Sequence, residues 1–166
     1  MKILMVCLGN ICRSPLAEGI MRQKIENAGV KWQVDSAGTG GYHLGSQPHK
    51  SSQKIALVHG IDISNQKARL FTKNDLLNFD KIYVMDGANY EDVKKMSGED
   101  WDHQKVEFLL NEVTPGKNAN VPDPYFGGED GFENVFNMIN EACDFIVHRY
   151  GKVNNPINNN DKTSLG

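Results

Sequence analysis

The chain has 166 residues with 18 Lys and Arg against 21 Asp and Glu, a formal net charge of −3, so no positive excess draws it to nucleic acid or to an anionic membrane. Its 39% of apolar residues and mean hydropathy of −0.49 suit one water-facing domain with a single core, not a lipid-facing chain. Three cysteines, an odd number, make no disulfide framework in a chain of this size.

Residues 1–6 form a short apolar run with β-branched members, as a strand buried on both faces requires. The apolar stretch 3–8 breaks at Gly9-Asn10. That is far short of the roughly 20 apolar residues of a spanning helix, and no small-residue cleavage site follows, so the expected location is the cytoplasm. A helix comes next, with Ser14 as N-cap, Pro15 in its first turn, an apolar face of Leu16, Ile20, Ile25 and Ala28, and Gly29 as its stop. Residues 32–36 read as a second strand leading into Gly38-Thr39-Gly40-Gly41. A helix is expected over 49–59, a loop over 62–69, and a short helix capped by Thr72 with Asp75 three positions on. Residues 81–86 form a third buried strand ending in a carboxylate, 89–96 a helix and 106–110 a fourth strand. Asp123-Pro124-Tyr125-Phe126-Gly127-Gly128 is a loop with strong breakers. Over 131–150, Phe132, Val135, Phe136, Ile139, Ala142, Cys143, Ile146 and Val147 recur at helical spacing, and that face is core. The stretch 151–166 holds five asparagines and few apolar residues, and is expected to be a disordered appendage to a 1–150 domain.

Strands alternating with helices describe a single-domain α/β fold, with a four-stranded, mostly parallel sheet flanked by helices on both faces. Ligands of such folds sit outside the carboxyl ends of the strands. Cys7, Ser36 and Asp86 all fall at that edge. The histidines, His43, His49, His59, His103 and His148, show no i, i+2 or i, i+4 pairing and no CxxC beside them, so neither a metal nor a cofactor is expected.

The segment Cys7-Leu8-Gly9-Asn10-Ile11-Cys12-Arg13-Ser14 joins the first strand to the first helix. Such a junction turns successive backbone N–H groups toward one point, and the helix dipole adds positive character there. That cradle suits a phosphate dianion. Arg13 can grip two phosphate oxygens through its planar fork, and Cys7 would enter the cradle from the strand end. The field that binds phosphate also stabilises a thiolate, and the Ser14 hydroxyl can donate to the sulfur. A Cys-x5-Arg spacing arises by accident in roughly 7% of chains of this composition, so its weight comes from the strand before it and the Ser-Pro helix start after it. The Gly-x4-Gly-Lys pattern of nucleotide loops and the Gly-x-Gly-x-x-Gly of dinucleotide sites are both missing.

Residues 7–14 with the Pro15-Leu16-Ala17-Glu18 that follows closely resemble the phosphate-binding loop of the low-molecular-weight protein tyrosine phosphatases. The likeness continues through Asp35-Ser36-Ala37-Gly38-Thr39, Lys67-Ala68-Arg69, Val84-Met85-Asp86, Asp123-Pro124-Tyr125-Phe126-Gly127 and Gly131-Phe132-Glu133, and covers about 1–150. The resemblance implies a metal-independent protein-tyrosine phosphatase. In it Cys7 attacks phosphorus and forms a phosphocysteine, the loop amides and Arg13 stabilise the transferring group, and Asp123 acts as general acid and then base. Read without the family, Asp123 before a proline is equally a turn-former. The resemblance also assigns Asn10 to a left-handed kink of the loop and Ser36 to the hydrogen-bond network beneath it. Asp86 either orients the loop or caps the next helix. Where the family often has a histidine before Lys-Ala-Arg, this chain has Gln66, which can bridge polar groups but cannot carry charge.

Leu8 and Ile11 protrude from the loop. Tyr42 matches an aromatic wall of the family, and Tyr125 with Phe126 its aromatic pair, with packing of the acid loop as the other role for Phe126. Such a slot favours a flat aryl phosphate over phosphoserine. His43, beside Tyr42, is read as an idle surface residue. The expected partner is therefore a phosphotyrosine-containing protein, and the family suggests an autophosphorylated bacterial tyrosine kinase. The resemblance further suggests reversible oxidation of the Cys7 and Cys12 pair; the other role for Cys12 is packing. Two other chemistries could use such a loop. Arsenate reductases share this loop but need further cysteines to carry a disulfide outward, and 87–100 holds none. A non-catalytic phosphoprotein-binding module would not need Cys7, Arg13 and Asp123 together.

Overall fold

The structure, a computed structural model, describes residues 1–124 and 128–151. Strands β1 (Lys2–Cys7), β2 (Gln33–Gly38), β3 (Lys81–Val84) and β4 (Val106–Phe108) form one sheet in the order β2-β1-β3-β4. Every neighbouring pair is parallel. The helices are α1 (Arg13–Ala28), α2 (Lys50–Val58), α3 (Lys73–Asn78), α4 (Gly87–Ser97) and α5 (Gly128–Gly151).

Alternation along β1 sorts the core into two halves. Ile3, Met5 and Cys7 join Leu16, Ile20, Val135 and Ile139 of α1 and α5 on one face of the sheet. Leu4 and Val6 join Leu76 of α3, Val93 of α4 and Phe108 of β4 on the other. With both faces covered, β1 has no polar side to show, which is why it reads as an unbroken apolar run. The connection leaving β1 goes to β2 on one side, whereas the one leaving β2 passes over to β3 on the other. That reversal opens a crevice at the carboxyl ends of β1 and β3. Among the described residues no helix is long and apolar enough to cross a membrane.

Local chemistry explains most boundaries. Gly29 ends α1 in the left-handed region at φ 66°. Thr72 and Asp75 form the reciprocal capping box that opens α3. Several expectations are corrected. Helix α1 starts at Arg13 behind Cys12, with no side-chain cap. Ser14 therefore lies inside the first turn, and its hydroxyl is engaged by Asn10 and Cys7 instead of capping. The N–H groups at the uncapped start of α1 stay available to a ligand. Ala28 is exposed, as are Glu26 and Asn27 before it, so the buried face of α1 ends at Ile25. Strand β2 extends to Gly38, whereas β4, an edge strand with one neighbour, stops at Phe108 and passes into a 3-10 turn. Helix α5 begins at Gly128, three residues before the expected start at 131; the acidic Asp130 suits a helix N-terminus.

Candidate active site

Leu8 to Cys12 span the gap between β1 and α1, and four carbonyls of this region are held from outside. Thr39 N–H donates to the Cys7 carbonyl at 2.9 Å, Gly40 N–H to Leu8 at 2.8 Å and His49 N–H to Ile11 at 2.8 Å. The Ser52 hydroxyl donates to the Cys12 carbonyl at 3.3 Å. In a trans peptide the N–H points opposite its C=O. Each outward carbonyl therefore turns the next amide, of Leu8, Gly9, Cys12 and Arg13, to the other side. Asn10 makes the bend between them in the left-handed region, at φ 54°. Its side chain locks the bend: Oδ1 accepts from Arg69 N–H at 3.0 Å, and Nδ2 donates to Ser14 Oγ at 2.8 Å and to Ser36 Oγ at 3.0 Å. The strand beneath must come close, and a Cβ on Gly38 would lie 2.6 Å from the Leu8 carbonyl oxygen. Only glycine fits there.

Cys7 is 3% exposed, and its Sγ lies 3.0 Å from Ser14 Oγ. Because Ser14 Oγ accepts from Asn10, the serine keeps its own proton to give. The sulfur is the nearer acceptor, the Ala37 carbonyl being 3.5 Å away. Arg13, also buried, donates from Nη1 to Asp86 Oδ2 at 2.6 Å and to the Val121 carbonyl at 3.0 Å. The other Asp86 oxygen accepts from Asn89 N–H at 2.8 Å. Asp86 thus occupies both positions weighed for it, one oxygen on Arg13 and one capping α4. Asp123 Oδ2 stands 3.9 Å from Arg13 Nη2.

These groups surround a cavity of about 200 Å³ lined by Cys7, Leu8, Gly9, Ile11, Cys12, Arg13, Tyr42, His43 and Asp123. Tyr42, 78% exposed, lies over Gly40, where a Cβ would meet its ring at 2.6 Å. His43 is not idle. It borders the cavity, with its ring 3.2 Å from where a Gly9 Cβ would stand. Tyr125 and Phe126 lie outside the described residues. Cys12 is buried, and burial together with the neighbouring Cys7 pushes its thiol up to about 12, against the pull of Ser52 and Arg13.

In the sequence, Glu18 has no role beyond its place in Pro15-Leu16-Ala17-Glu18. It is 4% exposed, accepts from the Ser36 hydroxyl at 2.9 Å and pairs with Arg22 at 2.9 Å. Burial raises its pKa, with Arg22 and Ser36 opposing. The available signal was a carboxylate between Ala17 and Gly19 on a face that otherwise packs inward. Glu18, not residue 66, closes the network with Ser36. Gln66 donates instead to the Pro15 carbonyl at 3.1 Å, and its Oε1 has no partner among the described residues, so it bridges on one side only.

A family model described as low molecular weight phosphotyrosine protein phosphatase matches residues 2–155. The low molecular weight phosphotyrosine protein phosphatase of Gallus gallus is 40% identical over 152 residues, 89% of this chain and 94% of that protein. The low molecular weight protein-tyrosine-phosphatase YfkJ of Bacillus subtilis is 40% identical over 148 residues, 87% of this chain and 92% of that one. The YfkJ crystal structure is similar to this fold with a TM-score of 0.86 at 38% identity, covering 93% and 97% of the two chains. The drosophila arginine phosphatase DARP is similar with a TM-score of 0.83 at 31% identity, covering 90% and 98%.

Proposed function

The chain belongs to the low molecular weight phosphotyrosine protein phosphatase family, and from that premise we propose that it hydrolyses phosphotyrosine and related aryl phosphate monoesters through a phosphocysteine on Cys7. The observation that carries this reading is the junction of Cys7 and Arg13 at one cavity, inside a loop whose carbonyls are tied outward.

The phosphate seats on the inward amides and the free side of the Arg13 fork. The Cys7 thiolate attacks phosphorus in line; the S–P bond forms as the bond to the phenolic oxygen breaks. Charge on the equatorial oxygens meets preorganised dipoles, which need no reorganisation at that moment. Asp123, protonated, gives its proton to the departing phenolate. As a carboxylate it then takes a proton from the water that attacks the phosphocysteine, releasing phosphate and the Cys7 thiolate, which the Ser14 hydroxyl receives. General acid–base help of this kind contributes about 10²–10⁴ in rate.

Leu8, Ile11 and Tyr42 at the rim supply apolar and aromatic surface for a flat ring. Phosphoarginine, the class named for DARP, carries guanidinium N–H groups that need acceptors, and neither Leu8 nor Ile11 has a side-chain acceptor. A phosphotyrosine-bearing protein is the fitting partner, a tyrosine kinase among them. Under peroxide, Cys7 oxidised to sulfenic acid would condense with the Cys12 sulfur, losing water and forming a disulfide short of irreversible oxidation.

The test is hydrolysis of phosphotyrosine, phosphoserine and phosphoarginine peptides by the native protein and by Cys7→Ser. Phosphotyrosine cleavage that vanishes in Cys7→Ser while phosphate binding persists is the expected outcome. Turnover in Cys7→Ser, or preference for phosphoarginine, contradicts the reading.

A further inference from the structure

His49 sits between the two halves of the proposed machinery. Its backbone N–H holds the Ile11 carbonyl at 2.8 Å, and Ser52, three residues on and fully buried, holds the Cys12 carbonyl. The first turn of α2 is therefore what turns the amides of Cys12 and Arg13 toward the cavity. Two contacts of the His49 side chain are separate from each other. Nδ1 accepts from Ser51 N–H at 3.0 Å, capping α2. The ring face stacks on Phe132 of α5, with centroids 5.5 Å apart and planes 19° apart. Phe132 adjoins Gly131, which packs on Pro124, the residue after Asp123: a Cβ on Gly131 would lie 3.7 Å from the Pro124 carbonyl oxygen. One imidazole thus links the cradle of the phosphate to the base of the segment that carries the acid.

We propose that His49 is a positioning residue that fixes Asp123 relative to the phosphate cradle through its ring contact with Phe132. This rests on Asp123 being the general acid. The cap and the stack are separable. Asparagine at position 49 keeps a strong N-cap acceptor and loses the ring, whereas phenylalanine keeps an aromatic face on Phe132 and loses the cap. A displaced acid matters most when the leaving group is a poor one, because a good one departs without a proton.

The experiment measures kcat across aryl phosphates of rising leaving-group pKa, with Ki for inorganic phosphate and the unfolding midpoint, for the native protein, His49→Asn, His49→Phe and Asp123→Asn. His49→Asn is expected to lose about tenfold in kcat on phenyl phosphate, within the reach of an ångström-scale misplacement, and less than twofold on para-nitrophenyl phosphate. Its phosphate Ki should not move. His49→Phe should restore the native dependence on leaving group even if its midpoint falls. A uniform fall in all rates for His49→Asn, or a native-like dependence, overturns the proposal. If Asp123→Asn itself leaves the dependence unchanged, the acid assignment fails and this proposal with it. A steepened Asp123→Asn beside a native-like His49→Asn overturns the coupling alone.

Discussion

Arg13 and Arg69 each face two carboxylates, yet the two sites are built for different work. Arg69 closes its fork on the protein: Nη1 and Nη2 take the two oxygens of Asp75 at 3.1 Å each, and Nε takes Asp35 at 3.2 Å. Burial works against its charge, but Asp75 and Asp35 more than offset that, and its pKa is raised. Among the described residues Arg13 donates hydrogen bonds from Nη1, to Asp86 and the Val121 carbonyl, while Nη2 stands 3.9 Å from Asp123 and Arg13 lines the cavity. A guanidinium saturated by protein acceptors braces the fold. One held by a single nitrogen is oriented and still has donors for a ligand.

The comparison is most sharply tested by Arg13→Lys against Arg69→Ala. Lysine keeps the charge beside Asp86 but not the fork. We expect kcat on para-nitrophenyl phosphate to fall about 10²–10³-fold, with little change in the unfolding midpoint. Arg69→Ala strips Asp75 of its cation and should cost about 2 kcal/mol, discounted for the partial exposure of Arg69, with kcat of the folded protein within about threefold. The Arg69 main-chain N–H still holds Asn10. Equal losses of kcat in the two variants would erase the distinction.

Asn10 joins the two regions, since it is bonded to Arg69 on one side and to Ser14 on the other. Asn10→Gly keeps the left-handed backbone and removes all three side-chain bonds, and kcat should drop by at least about tenfold, the scale of a single lost positioning hydrogen bond. Asn10→Ala adds about 1–2 kcal/mol of backbone strain, read as a lower midpoint in chemical unfolding. If the two variants unfold alike, the left-handed bend is not the costly feature.

The smallest effect concerns Glu18. Its folded pKa lies above its unfolded value, so the folded state holds the proton more tightly. Stability must then fall as pH rises from the ordinary glutamate range through the raised value. Glu18→Gln should flatten that slope on the alkaline side of the ordinary glutamate range, as followed by unfolding midpoints. An unchanged slope would show that burial of Glu18 does not govern this part of the profile.

Much of the fold was legible because its determinants are local. The apolar run of β1, the left-handed stop at Gly29, the Thr72–Asp75 box and the apolar face of α5 all lie within a turn or a strand. The Cys-x5-Arg loop was legible for the same reason. What could not be read was contact between distant positions. Asn10 meets Ser36 across 26 residues, and Arg13 meets Asp86 across 73 and Val121 across 108. The dual role of Asp86, the burial of Glu18 and the place of His49 between Ile11 and Phe132 all depend on such pairings. Ser14 was misread because Ser before Pro is a sound capping signal, and only the tertiary position of Cys7 and Asn10 redirects its hydroxyl.

Turnover through Cys7 requires a covalent bond between phosphorus and the Cys7 sulfur. It is tested most directly by rapid acid quench of Asp123→Asn turning over para-nitrophenyl phosphate, followed by intact mass and peptide mapping. A transient adduct of one phosphoryl group per chain is expected on the peptide containing Cys7, disappearing as phosphate is released. Phosphate released with no adduct at any time, or an adduct mapped to another residue, would contradict it.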